Sequence, residues 1–294
     1  KSSSSSAKSS SSVNSSSSVK SSSSSSAKSS SSVASSSSGE YVPFDHSKPL
    51  LADSIHSGAY KIYEDTRDGQ RYYYLTINGK RRDGTQGSVT IFAQNLNYGK
   101  QIVGNKNQDD DNNPEKYCYD DDWTRCDEYG GLYQWAETMN LPFECNTKSC
   151  ANLIQDTIDA KGFYQGICPD GWRLMTYDDY ELIYRSSDKG AIGIRSQYTF
   201  KGSNYTGFSL VGAGYRHSKD ASGFEGRLTV AAWYYPAEVD KNKNLSTSEE
   251  FNDSDVFPSA GYSYQSKDTQ SPNTAHTDSK LWGLSVRCVK VYQE

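Results

Sequence analysis

Residues 166–185 decide the fold and read Gly166-Ile-Cys-Pro-Asp-Gly-Trp-Arg-Leu-Met-Thr-Tyr-Asp-Asp-Tyr-Glu-Leu-Ile-Tyr-Arg185. Thr176 and Asp179 have the spacing of a capping box, in which each side chain accepts a hydrogen bond from the backbone N–H of the other. This spacing predicts a helix over 176–185. Side chains that share one face of this helix indicate a buried stripe rather than a binding surface: Tyr177, Tyr180, Ile183 and Tyr184.

The chain on either side of this stretch has the pattern of short strands joined by turns. Asp68-Gly-Gln and Asn78-Gly are turn signals. A second helix is predicted over Leu132–Met139, and the polar stretch Gly99–Glu115 is predicted to be a surface loop. The predicted strands lie at 60–63, 72–77, 88–93, 228–233 and 284–291. Two helices among many strands predict an α+β fold.

Residues 1–39 consist almost entirely of serine, interrupted in register by Lys, Ala, Val and Asn. Serine supplies no apolar surface to offset the entropy of ordering, so this segment is expected to be a disordered linker. Residues 40–294 are expected to form one globular domain. The repeat predicts a spacer between this domain and an anchor or fused domain on its N-terminal side.

Charge and hydropathy narrow the classes of partner. The chain carries a formal net charge of −5, and four of its lysines lie in the linker, so the domain itself is more acidic. An acidic domain does not favour nucleic acid as a partner. No apolar stretch has the length of a membrane-spanning helix. Because the chain begins at Lys1, we expect a signal peptide to have been removed or omitted.

The six cysteines are an even set that permits 15 full pairings, and they indicate an oxidising compartment. We favour two local disulfides and one that joins the middle of the domain to its end: Cys118–Cys126, Cys145–Cys150 and Cys168–Cys288. Zinc is the alternative. The spacings Cys-x₇-Cys and Cys-x₄-Cys and the scattered histidines are not typical of a structural zinc site.

Several segments, in order, resemble the Fibrobacter major paralogous domain family: Asp65-Thr-Arg-Asp-Gly-Gln, Ala93-Gln-Asn-Leu-Asn-Tyr, Tyr117-Cys-Tyr-Asp, Tyr129-Gly-Gly-Leu-Tyr-Gln-Trp-Ala, Gly166-Ile-Cys-Pro-Asp-Gly-Trp-Arg-Leu, Ala213-Gly-Tyr-Arg and Ser285-Val-Arg-Cys-Val-Lys. Serine-rich spacers also accompany this family. The resemblance implies an exported bacterial protein, often a lipoprotein or surface protein. It implies a location outside the cell or on its surface.

The Gly-Trp-Arg-Leu segment is also similar to the formylglycine-generating enzyme branch of C-type-lectin-like folds. This likeness implies short antiparallel sheets, two helices and a long irregular loop for ligands. Arg173 and Met175 stand where that branch has His and Pro. The reactive cysteine pair of those enzymes has no counterpart, because Cys288 stands alone in its segment.

No nucleophile elbow, metalloprotease helix or phosphate loop occurs in the sequence. A pair of carboxylates for glycoside hydrolysis cannot be chosen among 36 acidic residues. An enzyme of carbohydrate or protein modification with an unrecognised site therefore stays an alternative, and a structural surface or assembly component is another.

Aromatic clusters are the best candidates for ligand binding in a domain with this many tyrosines. The candidates are Trp233, Tyr234, Tyr235, Tyr262 and Tyr264. Three consecutive aromatics in a strand must face both of its sides, so at least one of Trp233–Tyr235 is expected to point outward. The alternative is a half-buried sheet. We therefore expect a non-catalytic binding or adhesion module for polysaccharide or cell-surface ligands.

The acidic loop offers a candidate calcium site. Asp109, Asp111 and Asn113 have the one-three-five spacing of a calcium loop, and Glu115 follows. Pro114 occupies the place where glycine usually makes the turn. The alternative is a solvated acidic loop.

Overall fold

The structure is a computed structural model that describes residues 41–217, 223–239, 259–269, 273–278 and 280–292. The described residues from Pro43 onward belong to one compact unit. The serine-rich segment 1–39, which was predicted to be a disordered linker, lies outside the described residues.

The described residues contain six α-helices, where the sequence predicted two: α1 Ala52–His56, α2 Trp123–Tyr129, α3 Trp135–Met139, α4 Ala151–Lys161, α5 Tyr177–Arg185 and α6 Ala191–Ile194. The capping box of α5 is confirmed, since the Thr176 and Asp179 side chains each bond the other's backbone N–H. Helix α3 begins later than predicted because Leu132 and Tyr133 pair as β-bridges with Tyr117 and Leu284.

The longest helix, α4, was not predicted because its N-terminus is fixed by a distant residue. Glu238 accepts hydrogen bonds from the Cys150 backbone N–H at 2.8 Å and from the Ser149 hydroxyl at 2.7 Å. This carboxylate satisfies backbone donors that a local cap would otherwise serve. The cap lies 88 residues from Cys150 in the sequence, so no local pattern reveals it.

The described strands are β1 Lys61–Glu64, β2 Arg71–Lys80, β3 Gln86–Phe92, β4 Lys100–Ile102, β5 Glu115–Tyr117, β6 Trp172–Leu174, β7 Tyr215–Arg216, β8 Phe224–Glu225, β9 Val230–Val239, β10 Ser259–Ser266, β11 Asn273–Asp278 and β12 Cys288–Lys290. The main sheet has the order β1-β2-β3-β12-β6, and its pairs are antiparallel. A second antiparallel sheet has the order β11-β10-β9. Helices and mainly antiparallel sheets occur together, which confirms the α+β class.

Two local predictions were wrong. Asn78-Gly is not a turn, because β2 runs through it to Lys80. Gly79 is glycine for another reason: a Cβ there would lie 2.6 Å from the Leu182 carbonyl oxygen of α5, so the close approach of the helix requires it. The predicted loop Gly99–Glu115 contains strand β4, which pairs in parallel with β5.

The main sheet has a hydrophobic core on one face along its whole length and on the other face along only part of it. Leu75, Ile77 and Ile91 point to the first face, where they pack with α5. Tyr72 and Phe92 point to the second face and pack with Trp172 of β6. Further along the strands this second core ends, and Thr76, Asn78 and Ser88 on that face are exposed.

The favoured disulfide pairing is confirmed. Cys118–Cys126, Cys145–Cys150 and Cys168–Cys288 are bonded, and no cysteine is free. Cys168–Cys288 joins the segment before β6 to the first residue of β12, 120 residues apart. In the chain-entropy model a loop of that length contributes about 5 kcal/mol to the free energy of unfolding.

Buried arginines hold the irregular segments together. Arg287 is 3 % exposed and donates hydrogen bonds to the carbonyls of Phe92, Phe208 and Ser209 and to the Asn95 side chain. Its guanidinium lies 4.7 Å from the centroid of the Phe208 ring. Loops inside a fold carry carbonyls that no sheet pairs, and a guanidinium supplies five donors for them. This explains the arginine of the Ser-Val-Arg-Cys segment by the fold alone.

A buried lysine, Lys280, holds the Cys145–Cys150 loop in place by donating hydrogen bonds to its backbone carbonyls. The Lys280 ammonium donates to the carbonyl of Cys145 at 2.7 Å and to the Glu238 carboxylate at 2.5 Å. It also lies 4.1 Å from the centroid of the Trp135 ring. Because Glu238 caps α4 as well, one buried ion pair fixes both the disulfide loop and the start of the helix.

Candidate functional site

The three consecutive aromatics of β9 are inside the protein. Trp233, Tyr234 and Tyr235 are 2 %, 4 % and 1 % exposed. Trp233 and Tyr235 belong to the core beside α5, and Tyr234 belongs to the core on the other side. Tyr235 accepts a hydrogen bond from the Trp233 indole and donates one to Ser263. The expectation that one of the three points outward is therefore wrong, because β9 is covered on both sides.

The two other aromatic candidates lie on β10. Tyr264 is half-buried and packs against the core that contains Tyr234. Tyr262 pairs with Tyr234 in the sheet, and its side chain lies outside the part of the chain that the structure describes. Their role in ligand binding stays a prediction, without support from the geometry.

Two carboxylates of the acidic loop accept hydrogen bonds from backbone N–H groups. Asp111 accepts a hydrogen bond from the Phe143 N–H, and Glu115 accepts one from the Asp110 N–H. Asp109 and Asn113 are exposed. Within the described ranges, no three His, Cys, Asp or Glu side chains come together in an arrangement that fits a metal ion. The geometry therefore gives the calcium prediction no support.

One carboxylate next to this loop is perturbed. Glu137 of α3 accepts a hydrogen bond from the Glu115 N–H at 3.2 Å. Burial, together with the negative charges of Glu115 and Asp111, raises the pKa of Glu137 to about 8. A carboxyl that holds its proton near neutral pH is typical of catalytic acids as well as of structural sites. We assign Glu137 no catalytic role.

A groove of about 680 Å³ lies on the part of the main sheet where the second core ends. We call it the sheet groove. It is lined by Lys61, Tyr74, Thr76, Thr90, Phe163, Gly171, Lys290, Val291 and Tyr292. Lys61 and Tyr74 pair across β1 and β2, and Thr76 and Thr90 pair across β2 and β3. The floor is therefore built by strand register across the sheet.

The position of the groove follows from the edge of the core. The Tyr74 ring packs edge-on against Trp172, with ring centroids 5.3 Å apart, and forms the boundary. Beyond this boundary Thr76 and Thr90 replace the large aromatic residues. An antiparallel sheet commonly leaves part of one face to solvent. Here that part is concave and has aromatic residues at its sides.

A row of hydroxyl groups positions one aromatic ring in the sheet groove. The Thr76 and Thr90 hydroxyls are hydrogen-bonded at 2.7 Å, and the Thr90 and Tyr292 hydroxyls at 2.5 Å. Tyr292 is nevertheless 59 % exposed. Its hydroxyl is fixed to the floor while its ring remains open to solvent. Such a ring can stack on the apolar face of a ligand with little further loss of side-chain freedom.

Two lysines complete the sheet groove. Lys61 and Lys290 are exposed, and neither has a salt bridge among the described residues. The Lys290 ammonium lies 5.7 Å from the centroid of the Tyr74 ring. A cation over an aromatic face is held in place by the ring quadrupole. The groove thus offers aromatic rings and ammonium donors.

Sequence reasoning missed this groove. Its residues come from β1, β2, β3 and β12 and from loops next to β6, which are distant in the sequence. Alternation along 72–77 was a usable signal, because Tyr74 and Thr76 share one side of a strand. The signal could not tell which of the two sides was partly uncovered.

The described residues include no helix that is long and apolar enough to span a membrane. The family model of the Fibrobacter succinogenes major domain matches residues 86–290. No curated protein and no solved structure is detectably similar to the chain. The matched range starts with β3 and ends with β12, and it includes all six cysteines. The match covers more than half of the sequence, so the chain belongs to the Fibrobacter succinogenes major domain family.

Proposed function

We propose that the domain is a non-catalytic binding module for polysaccharide, and that the sheet groove is its binding site. The observation that carries this proposal is Tyr292, whose ring is exposed while its hydroxyl is held by Thr90. Sugar rings have an apolar face that stacks on aromatic rings and an edge of hydroxyl groups. The groove supplies both kinds of contact, through Tyr292 and Phe163 on the one hand and through Thr76 on the other.

The proposal includes the finer fold and the location. A C-type-lectin-like arrangement is supported by the small antiparallel sheets and by β12, which pairs with β3 far earlier in the chain. Three disulfides support an exported protein at the cell surface or outside the cell. Residues 1–39 would then be the spacer that gives the domain reach from an anchor or a fused domain.

Catalysis is the weaker alternative. All six cysteines are paired, so a thiol mechanism has no free thiol to use. The perturbed Glu137 does not line the sheet groove. The described residues that line it include no carboxylate or histidine that could act as a general acid or base.

The test is retention of the whole chain on insoluble polymers: cellulose, xylan, mannan and de-esterified pectin. We expect retention on at least one polymer and its loss in Tyr292→Ala. Tyr292→Phe should keep much of it, because the ring remains. Retention on none of the four, by the wild-type chain, would refute the proposal. A repeat with EDTA separates a calcium requirement, which this groove does not predict.

The matched control is Tyr205→Ala. Tyr205 is 60 % exposed, almost the same as Tyr292, and does not line the sheet groove. If Tyr205→Ala lowers retention as much as Tyr292→Ala does, the effect comes from general surface hydrophobicity. The groove would then not be the binding site.

A further inference from the structure

We infer that the sheet groove selects polysaccharides that carry carboxylate groups, such as chains of uronic acid. This inference rests on the proposed function and names the chemistry of its ligand. Among the described residues, the side chains that line the groove include two lysines and no Asp, Glu, Asn or Gln. The charge and the hydrogen-bonding capacity of the groove both follow from this composition.

The charge of the groove is opposite to that of the chain. The protein has 36 acidic and 31 basic residues and a formal net charge of −5. A groove that contains lysine and no acid departs from that composition. Among the described residues that line the groove, the charged side chains that a ligand meets are Lys61 and Lys290.

The hydrogen-bonding groups of the groove are mainly donors. An ammonium group has three donors and no acceptor. The hydroxyls of Thr76, Thr90 and Tyr292 bond one another, which uses most of their O–H donors, so the free donors of the groove are mainly the two ammonium groups. A neutral sugar presents hydroxyls that must both donate and accept. A carboxylate only accepts, so it matches a site that has ammonium donors and lacks carboxylate and amide acceptors.

The spacing of the lysines favours a polymer. Lys61 is on β1 and Lys290 on β12, which are separated by β2 and β3. Three strand spacings place their backbones roughly 14 Å apart across the sheet. The exposed ring of Tyr292 also lines this groove. A chain with carboxylates at intervals can meet both ammonium groups while one of its sugars stacks on the ring.

The experiment compares two polymers with the same sugar backbone: polygalacturonic acid, whose carboxylates are free, and its methyl-esterified form, which is uncharged. Affinity electrophoresis of the whole chain gives both dissociation constants. We expect the acid form to bind at least about tenfold more tightly than the ester, and the preference to shrink between 0.05 and 0.5 M NaCl. We also expect the double variant Lys61→Gln/Lys290→Gln to bind the two forms alike.

Lys80→Gln/Lys100→Gln is the charge-matched control, because it also removes two positive charges and both lysines are exposed and lie outside the groove. The lysines of the serine-rich segment are present in every variant and so contribute equally. Equal or tighter binding of the ester by the wild-type chain would overturn the inference and leave the proposed function standing. So would a preference for the acid that survives in the double variant. Failure to bind these and all neutral polymers would refute the proposed function itself.

Discussion

Lys280 and Lys290 stand ten residues apart in the sequence and have opposite surroundings. The Lys280 ammonium is inside the protein, where it meets the Cys145 carbonyl and the Glu238 carboxylate. Lys290 is exposed in the sheet groove and lies near one ring, that of Tyr74. The difference teaches that a cation surrounded by carbonyls belongs to the fold, whereas a cation in an open groove remains available to a ligand.

The buried arginines resemble Lys280, because backbone carbonyls surround their charged groups as well. Arg216 is 4 % exposed, donates to the carbonyls of Gly104 and Leu281, and lies 4.8 Å from the centroid of the Tyr117 ring. It repeats the arrangement of Arg287: carbonyl acceptors around the edge of the guanidinium and an aromatic ring at its face. The family segments that contain these arginines are thus explained by packing and not by a ligand.

The largest effect is expected from Arg287→Met. Methionine fills the volume but leaves buried carbonyls and the Asn95 side chain without their donors, so the free energy of unfolding should fall by about 3–5 kcal/mol. Urea unfolding followed by tryptophan fluorescence measures it. Arg287→Lys keeps the charge and should recover only part of the loss. A loss below about 1 kcal/mol in Arg287→Met would show that Arg287 contributes little to the stability of the fold.

Lys280→Met should have the next largest effect. It leaves the Glu238 carboxylate buried without its cation, and we expect a loss of about 2–4 kcal/mol. The double variant Lys280→Met/Glu238→Gln removes both charges and should be more stable than Lys280→Met alone. Melting temperatures of the four chains form a double-mutant cycle. Additive losses would show that the two side chains do not interact.

Glu137 extends the comparison to an acidic side chain. None of the described salt bridges includes it, whereas Lys280 is paired with Glu238. Its pKa is raised from 4.5 to about 8, so the folded state binds its proton more tightly than the unfolded state does. The free energy of unfolding should therefore fall as the pH rises from about 4.5 to 8. In Glu137→Gln that fall should be smaller by on the order of 1 kcal/mol. Identical pH profiles for the two chains would contradict this prediction.

The smallest effect on stability is expected in the sheet groove. Lys61→Gln and Lys290→Gln each should change the free energy of unfolding by less than about 0.5 kcal/mol, since both side chains are exposed. The same urea titration measures this change. A loss as large as that of Lys280→Met would show that Lys290 also stabilises the fold. The contrast between Lys280 and Lys290 would then no longer hold.

Features encoded by local spacing could be predicted from the sequence. The capping box gave α5, and the number and spacing of the cysteines gave the disulfides. Features set by long-range pairing could not. The start of α4 depends on Glu238, and Gly79 depends on a helix that approaches β2 from a distant part of the chain. Trp233–Tyr235 are buried because a hydrophobic core covers each of the two sides of β9. The sequence pattern of one strand does not show whether both of its sides are covered.

The Cys168–Cys288 bond also determines how the domain bears mechanical load. A force on the chain beyond Tyr292 meets this covalent cross-link after only residues 289–292 have been pulled away. Those residues include Lys290 and Tyr292 of the sheet groove. Tension from that side would therefore dismantle the groove first, while the rest of the domain stayed folded behind the cross-link.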